Sequence, residues 1–232
     1  MTPLLRRPAI VLDVWSDVVC SWCYIAKHRL HQAVLAWERP QEVEIRHRAF
    51  ETDTGLQPGE RVPVADPLGR KPGGGVEGGR RMTDEVTAAA REDGLTLNLD
   101  TAVAARSFDA HRLVALAREM GGPGLEQAAL ERMFSAHLIE GLAIDDHGVL
   151  QRISAEAGMD ERRVAAVLAA ESYGEKVRAD EAEAQRLGIT RVPFVRAGAD
   201  IAVAGAQSVE AYLEMFRRVR RGLGRRRAAE PT

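Results

Sequence analysis

Two cysteines, Cys20 and Cys23, are the residues whose type and spacing most directly suggest chemistry. They are the only cysteines among the 232 residues of the chain, and Ser21 and Trp22 separate them. A pair at this spacing suits a thiol–disulfide redox centre, part of a zinc site, or two unlinked structural residues. A disulfide that closes so short a loop removes little chain entropy, so a purely structural bridge explains the pair poorly.

A structural zinc site would need two further ligands, and the nearest candidates are His28 and His31. Residues 23–37 have the apolar spacing of a helix and contain no glycine or proline. At about 1.5 Å of rise per residue, His31 would lie roughly 12 Å along the helix axis from Cys23. One ion cannot bind both groups at that separation, so we expect no metal site.

The sequence before the pair favours redox chemistry. Residues 10–15 are rich in β-branched residues, which predicts a short buried strand, and a turn follows it. Cys20 is therefore expected at a helix N-terminus, where unpaired backbone N–H groups and the helix dipole favour a thiolate. Cys23 would lie one turn deeper and attack the mixed disulfide that Cys20 forms. A strand, a turn and a CxxC motif that opens a helix indicate a thioredoxin-like redox motif.

The other predicted elements form a β-α-β unit, a helical region and a β-β-α unit. Residues 42–47 alternate polar and apolar side chains, which predicts a second strand. Two more strands are predicted at 191–196 and 201–204, followed by a helix at 209–221. Six helices are predicted between the two units, at 83–91, 109–120, 125–140, 148–157, 160–170 and 172–187.

This order predicts an α/β protein with a thioredoxin fold and a large all-helical insertion. The thioredoxin-fold domain would be discontinuous, formed by residues 10–50 and 188–221, with the insertion at 81–187. Residues 51–80 form a loop rich in glycine and proline, and such loops are usually functional or mobile. This loop is interpreted either as a cover over the active site or as a flexible linker. Residues 222–232 are expected to be a disordered basic tail.

A proline in the third strand departs from local rules. Pro193 cannot donate to a strand ladder, and it lies within the run 191–196. A cis Val192–Pro193 bond would resolve the conflict by bending the backbone at the start of the strand. Departures of this kind tend to mark functional sites.

Composition and charge exclude several classes of protein. Hydrophobic residues make up 45% and charged residues 28%, which is ordinary for a globular protein, and the net charge is −2. We therefore expect neither nucleic acid nor a membrane as a partner. No apolar run reaches the ~20 residues of a transmembrane helix. The apolar stretch 9–12 is too short for a signal peptide, so we expect a cytoplasmic location.

The chain resembles the DsbA-like thioredoxin-fold oxidoreductases, specifically the FrnE-like cytoplasmic branch, over about residues 10–221. The resemblance rests on Cys20–Ile25 with Lys27, Ser107–Leu113, Phe134 with Glu140 and Gly141, Val192–Phe194, and Gly205–Gln207. It implies a bacterial thiol–disulfide oxidoreductase in which Cys20 is the nucleophile, Cys23 resolves the mixed disulfide and Pro193 is the cis-proline beside them. It also implies that the backbone of Val192 pairs with an extended substrate.

Further residues are candidates for the same groove. The predicted substrate contacts are Ser21, Trp22, Phe50, His111, Val192 and Gln207. His111 is alternatively a hydrogen-bonded histidine between helices. Asp17 and Lys27 flank the motif, where they either move a proton to Cys23 or cap and solubilise the helix start.

Two positions depart from the family pattern. Ser21 stands where the family usually has proline, in the dipeptide that tunes the reduction potential, and Arg191 places a cation near the active site. Kappa-class glutathione transferases and 2-hydroxychromene-2-carboxylate isomerases share the architecture but have a serine at the nucleophile position and no CxxC pair. A glutathione-dependent isomerase or transferase is therefore the alternative function, and a redox-sensing interaction module is a third.

The predicted reaction needs no metal or organic cofactor, because the dithiol itself holds the electrons. The predicted partners are proteins or small molecules that carry a thiol or a disulfide. Glutathione is a candidate co-substrate, and a second copy of the chain is a candidate partner in a homodimer.

Overall fold

The computed structural model describes residues 10–52, 55–57, 59–66 and 75–229, with side chains described as far as residue 223. The residues used to argue against a signal peptide lie mostly outside these ranges. So do parts of the predicted loop 51–80 and the last three residues of the predicted tail.

Four strands form one mixed sheet in the order β2-β1-β3-β4. The strands are β1 (Ile10–Ser16), β2 (Val43–Ala49), β3 (Phe194–Ala197) and β4 (Ile201–Ala204). β1 and β2 are parallel, and β3 lies antiparallel to both β1 and β4. Two chain segments that are distant in sequence thus complete one sheet, which confirms the predicted α/β thioredoxin fold.

Seven α-helices accompany the sheet within the described ranges. They are α1 (Ser21–Ala36), α2 (Gly75–Glu92), α3 (Phe108–Leu138), α4 (His147–Glu156), α5 (Glu161–Leu168), α6 (Gly174–Arg186) and α7 (Val209–Ala229). A single-turn 3-10 helix at Pro40–Glu42 leads into β2. No helix in the described part of the chain is long and apolar enough to cross a membrane.

The sheet and two helices share one hydrophobic core. Alternate residues of β1, among them Ile10 and Leu12, are fully buried against side chains of α1 and α7. Trp37, just after α1, meets Phe216 of α7 edge to face, with 5.6 Å between ring centroids. This core fixes the position of α1 and therefore of the cysteines at its start.

A second core joins the start of α1 to the helical insertion. Cys23, Tyr24 and Ile25 are buried together with side chains of α2, α3, α4 and α5. Tyr24 stacks on Phe134 of α3 at a centroid distance of 5.1 Å. The insertion is therefore packed directly against the end of α1 that carries the CxxC motif.

The boundary between the predicted helices 109–120 and 125–140 is a kink inside α3. Gly121 and Gly122 have non-helical backbone angles, and Gly122 has a φ of 65°, which glycine adopts readily. Pro123 follows, where its fixed φ suits the start of a new helical turn. The predicted break between two helical segments at this point is therefore confirmed.

Two predicted boundaries are wrong. α2 begins at Gly75, inside the predicted loop 51–80, and its early residues Gly78 and Gly79 are buried. Glycine has low helix propensity, but tertiary packing overrides propensity at such positions. α7 continues to Ala229, through most of the predicted disordered tail 222–232. Its arginines and alanines are good helix formers.

The contact between Tyr24 and Phe134 gives a test of the second core. Phe134 is 1% exposed, so Phe134→Ala should lower the free energy of unfolding by about 3–5 kcal/mol. Leu35→Ala is the matched control, because Leu35 lies on α1 but is 60% exposed, and it should change stability by less than about 0.5 kcal/mol. Urea denaturation measures both. Equal effects of the two substitutions would contradict the proposed packing.

Candidate redox site

Cys20 is the N-cap residue of α1. Its backbone is extended, with φ of −91° and ψ of 109°, and its sulfur accepts a hydrogen bond from the backbone N–H of Cys23 at 3.3 Å. A sulfur atom thus fills the role that serine or aspartate oxygens usually have at this position. The first N–H groups of a helix stabilise negative charge. The half-buried Cys20 sulfur is therefore held at the N-terminus of α1.

Cys23 has the opposite environment. It is 1% exposed and belongs to the core that joins α1 to the helical insertion. Burial raises the pKa of the Cys23 thiol well above its ordinary value, and the interaction with the Cys20 sulfur raises it further. Both cysteines are free thiols in this structure. The pair is therefore asymmetric, with one accessible sulfur and one sulfur held as a buried thiol.

The predicted cis peptide bond is present. The Val192–Pro193 bond is cis, and the Pro193 carbonyl accepts a hydrogen bond from the N–H of Gly205 at 2.8 Å. Val192 is partly buried and packs against the same hydrophobic core as Cys20 and Trp22. The structure thus packs Val192 and the CxxC motif against the same core.

The predicted contact residue Gln207 lies in the turn after β4. Its side-chain Nε2 donates to the Ala204 carbonyl at 2.6 Å. Arg29 of α1 donates to the neighbouring Ala206 carbonyl at 3.3 Å and pairs with Asp93, just after α2, at 2.7 Å. Sequence reasoning missed Arg29, because a cation on a helix resembles an ordinary solvated residue.

Phe50 and Trp22, both predicted substrate contacts, pack against different hydrophobic clusters. Phe50 packs with Trp15 and Ile189 in a small hydrophobic cluster that Val192 also contacts. Trp22 is half-buried against the helical insertion. Ser21, between the cysteines, is the first residue of α1 and is also half-buried.

Asp17 is a fully buried carboxylate directly before the motif. It is 0% exposed, and its Oδ2 accepts hydrogen bonds from the backbone N–H and the hydroxyl of Thr52, both at 2.7 Å. Burial alone would raise the pKa of Asp17, but the contacts with His111 and Thr52 outweigh burial and lower this pKa below its ordinary value. Thr52 carries no sequence signal for this role.

His111, on the first turn of α3, lies beside Asp17. It is 5% exposed, and its Nε2 is 3.4 Å from Asp17 Oδ1. The structure therefore places His111 beside the carboxylate that lies three residues before Cys20, and its role as a substrate contact stays a prediction. Lys27, in contrast, donates to Glu131 of α3 at 2.6 Å, so its ammonium group is engaged with the helical insertion.

Another residue of the 107–113 segment has a structural role that the sequence did not indicate. The buried guanidinium of Arg112 donates to the carbonyls of Val167, Ala170 and Ser172 and pairs with Asp109 at 2.6 Å. These bonds reach carbonyls at the C-terminal end of α5 and in the segment that follows it. Arg112 thereby fastens α3, and with it His111, to the rest of the insertion.

No group of three or more metal-ligating side chains is found within the described ranges. His31, one of the two histidines considered as zinc ligands, is exposed on α1.

The family model of the DsbA-like thioredoxin domain matches residues 11–217. The fold and the position of the cysteine pair define a thioredoxin-fold protein of the thiol oxidoreductase kind. The chain belongs to the DsbA-like thioredoxin domain family, as the sequence resemblance predicted. No curated protein matches it.

Three solved structures illustrate this relationship. A probable DsbA oxidoreductase from Streptomyces coelicolor is 33% identical, with a TM-score of 0.83 over 90% of this chain and 89% of that chain. The cytosolic disulfide reductase DsbM from Pseudomonas aeruginosa, with GSH, is 22% identical, with a TM-score of 0.59 over 93% and 98%. A 2-hydroxychromene-2-carboxylate isomerase is 17% identical, with a TM-score of 0.65 over 96% and 100%. The last two show a shared fold alone.

The ionised Asp17 predicts a specific dependence of stability on pH. Because its pKa is lower in the folded state than its ordinary value of 3.8, the carboxylate stabilises the fold above pH ~4 and loses this effect as the pH falls through the folded-state pKa. Asp17→Asn should lower the free energy of unfolding at pH 7 by about 1–3 kcal/mol. The difference from the wild type should shrink at pH 3.

Urea denaturation at both pH values measures this difference. Asp200→Asn, in the exposed turn before β4, is the control and should show no such change. A difference between Asp17→Asn and the wild type that is the same at pH 7 and pH 3 would show that Asp17 is not a stabilising carboxylate.

Proposed function

We propose that this protein is a thiol–disulfide oxidoreductase in which Cys20 is the nucleophile and Cys23 resolves the mixed disulfide. The observation that carries the proposal is the asymmetry of the pair. The Cys20 sulfur caps α1 and accepts the Cys23 N–H at 3.3 Å, whereas the Cys23 thiol is 1% exposed. A reactive accessible sulfur above a protected one is the arrangement that sequential attack requires.

The reaction proceeds in two displacements. The Cys20 thiolate attacks a substrate disulfide, forms a mixed disulfide and releases one substrate sulfur as a thiolate. The Cys23 thiolate then attacks Cys20 Sγ, releases the second substrate thiolate and leaves a Cys20–Cys23 disulfide. Two electrons pass from the protein to the substrate, and the reverse sequence oxidises a substrate dithiol. Neither step needs a metal or an organic cofactor.

The proposed binding surface for the substrate is the edge formed by Trp22 and Val192. β3 pairs with β1 from Phe194 onward. Val192 therefore lies before the paired part of this strand. Its backbone is therefore placed to pair with an extended peptide, as in other cases of strand addition. Proteins or small molecules with a thiol or disulfide are the proposed substrates.

Three further features belong to the same proposal. Glutathione is a co-substrate that either reduces or oxidises the pair. The reaction takes place in the cytoplasm, where thiol pools keep such pairs largely reduced. A homodimer is the proposed assembly.

A redox titration of the purified protein tests the oxidoreductase proposal. In glutathione buffers, the fluorescence of the half-buried Trp22 should report a reversible two-electron transition, with a potential between about −120 and −270 mV. The transition should be absent in Cys20→Ser. No transition in the wild type, together with a saturable glutathione site and an isomerase activity that survives Cys23→Ser, would instead support the glutathione-dependent isomerase.

The order of the two displacements predicts which variant accumulates an intermediate. Cys23→Ser removes the resolving thiol, so it should retain a disulfide-bonded adduct on Cys20 after incubation with oxidised glutathione. Cys20→Ser should form far less adduct, because Cys23 is buried. Intact-mass spectrometry under non-reducing conditions measures both. An adduct that forms preferentially on Cys23 would reverse the proposed roles.

A further inference from the structure

Residues 205–207 link β4 to α7 and form a turn that contacts the cis-proline, called here the β4–α7 turn. The Gly205 N–H donates to the Pro193 carbonyl at 2.8 Å. Gly205 has a φ of 77°, a left-handed conformation that glycine adopts readily. Val192, whose backbone is the proposed pairing partner of the substrate, directly precedes Pro193. The position of the β4–α7 turn therefore bears on the position of the proposed binding edge.

Arg29 ties the same turn to α1. Its Nη1 donates to the Ala206 carbonyl at 3.3 Å, and its Nε donates to Asp93 Oδ2 at 2.7 Å. The side chains of Arg29 and Asp93 are only 17% and 19% exposed. A planar guanidinium holds two partners in a fixed geometry, whereas a lysine ammonium is a single charge on a flexible stem. Arg29 thus connects α1, the end of α2 and the β4–α7 turn.

The helix that carries Arg29 also carries the nucleophile. Cys20 caps the N-terminus of α1, and Arg29 lies in the body of this helix. Ala206 and Val192 pack against the same hydrophobic core as Cys20. A polar link therefore runs from α1 through Arg29 and the β4–α7 turn to the cis-proline segment.

The first displacement creates a need for such a link. A substrate that pairs with the backbone of Val192 reacts only if its sulfur meets Cys20 Sγ in line with the bond that breaks. Misplacement by about 1 Å can cost roughly 100-fold in rate. Cys20 and Val192 belong to segments that are far apart in the sequence. Contacts between these segments must therefore set their separation.

We propose that Arg29 is a positioning residue that aligns extended substrates with Cys20 by holding the β4–α7 turn against α1. The proposal rests on the proposed oxidoreductase function and adds a residue that does not touch the substrate. Arg29 acts on substrates that pair with the backbone of Val192. It has little effect on small disulfides, because these reach Cys20 without such pairing.

Two substrates with the same leaving group test the proposal. One is 5,5′-dithiobis(2-nitrobenzoate), and the other is a short extended peptide whose single cysteine carries thionitrobenzoate in a disulfide. In both reactions the Cys20 thiolate forms a bond to one substrate sulfur, the substrate disulfide breaks, and thionitrobenzoate leaves as a thiolate. Stopped-flow absorbance measures this release. The ratio of the two rate constants reports alignment, because the thiol and the leaving group are shared.

Two substitutions of Arg29 separate its two contacts. Arg29→Lys keeps a cation for Asp93 but cannot hold the Ala206 carbonyl at the same time, and Arg29→Met removes both contacts. Each should slow the peptide reaction at least about tenfold and leave the first release from 5,5′-dithiobis(2-nitrobenzoate) within about twofold. Tryptophan fluorescence confirms that each variant is folded.

A modified peptide tests whether backbone pairing is the step that Arg29 supports. N-methylation next to the cysteine removes an N–H donor and blocks the pairing. This peptide should react slowly with the wild type and lose no further rate in Arg29→Lys, so the two changes should not add.

Arg132→Met is the matched control. The Arg132 side chain is 19% exposed and pairs with Glu140 at 2.7 Å, so its burial and its ion pair resemble those of Arg29. It lies on α3 and has no contact with the β4–α7 turn among the described residues. The ratio of the two rate constants should therefore stay at its wild-type value in this variant.

Three results would overturn the positioning role. The first is a wild-type peptide rate in Arg29→Lys, and the second is equal slowing of both substrates in the Arg29 variants, which marks a general structural role. The third is an N-methylated peptide that reacts as fast as its parent. Failure of the proposed function itself looks different, since thionitrobenzoate release would then be absent in the wild type or would persist in Cys20→Ser.

Discussion

The hydrogen bond from the Cys23 N–H to the Cys20 sulfur is the interaction on which the rest of the site depends. It places one sulfur at the N-terminus of α1, where the helix stabilises negative charge, and the other one turn deeper. The difference in environment between the two sulfur atoms depends on α1 being held in place along its length. The core shared with β1 and α7 holds the body of the helix, and the helical insertion packs against its start.

The helical insertion therefore does more than enlarge a thioredoxin fold. It buries Cys23, stacks Phe134 on Tyr24 and brings His111 to Asp17. The buried Arg112 fixes α3, which carries His111, to the end of α5. The same contacts that stabilise the insertion thus set the solvent access of Cys23 and the electrostatic environment of Asp17.

Local rules were enough to predict the parts of the site that lie close together in sequence. A β-branched run before a CxxC motif predicted a strand followed by a helix, and the conflict between Pro193 and its strand predicted the cis bond. Contacts between distant segments left no such pattern. Thr52 is an ordinary loop residue until the fold brings it to Asp17, and the early start of α2 depends on packing that overrides the low helix propensity of glycine.

The central claim is that the two thiols differ in reactivity because α1 exposes one and the insertion buries the other. Its most direct test is brief alkylation of the reduced, folded protein with iodoacetamide at pH 7, followed by peptide mass spectrometry. The account predicts that Cys20 is modified to completion while Cys23 stays almost unmodified, and that unfolding in urea makes both reactive. Equal modification of the two cysteines in the folded protein, or faster modification of Cys23, would contradict it.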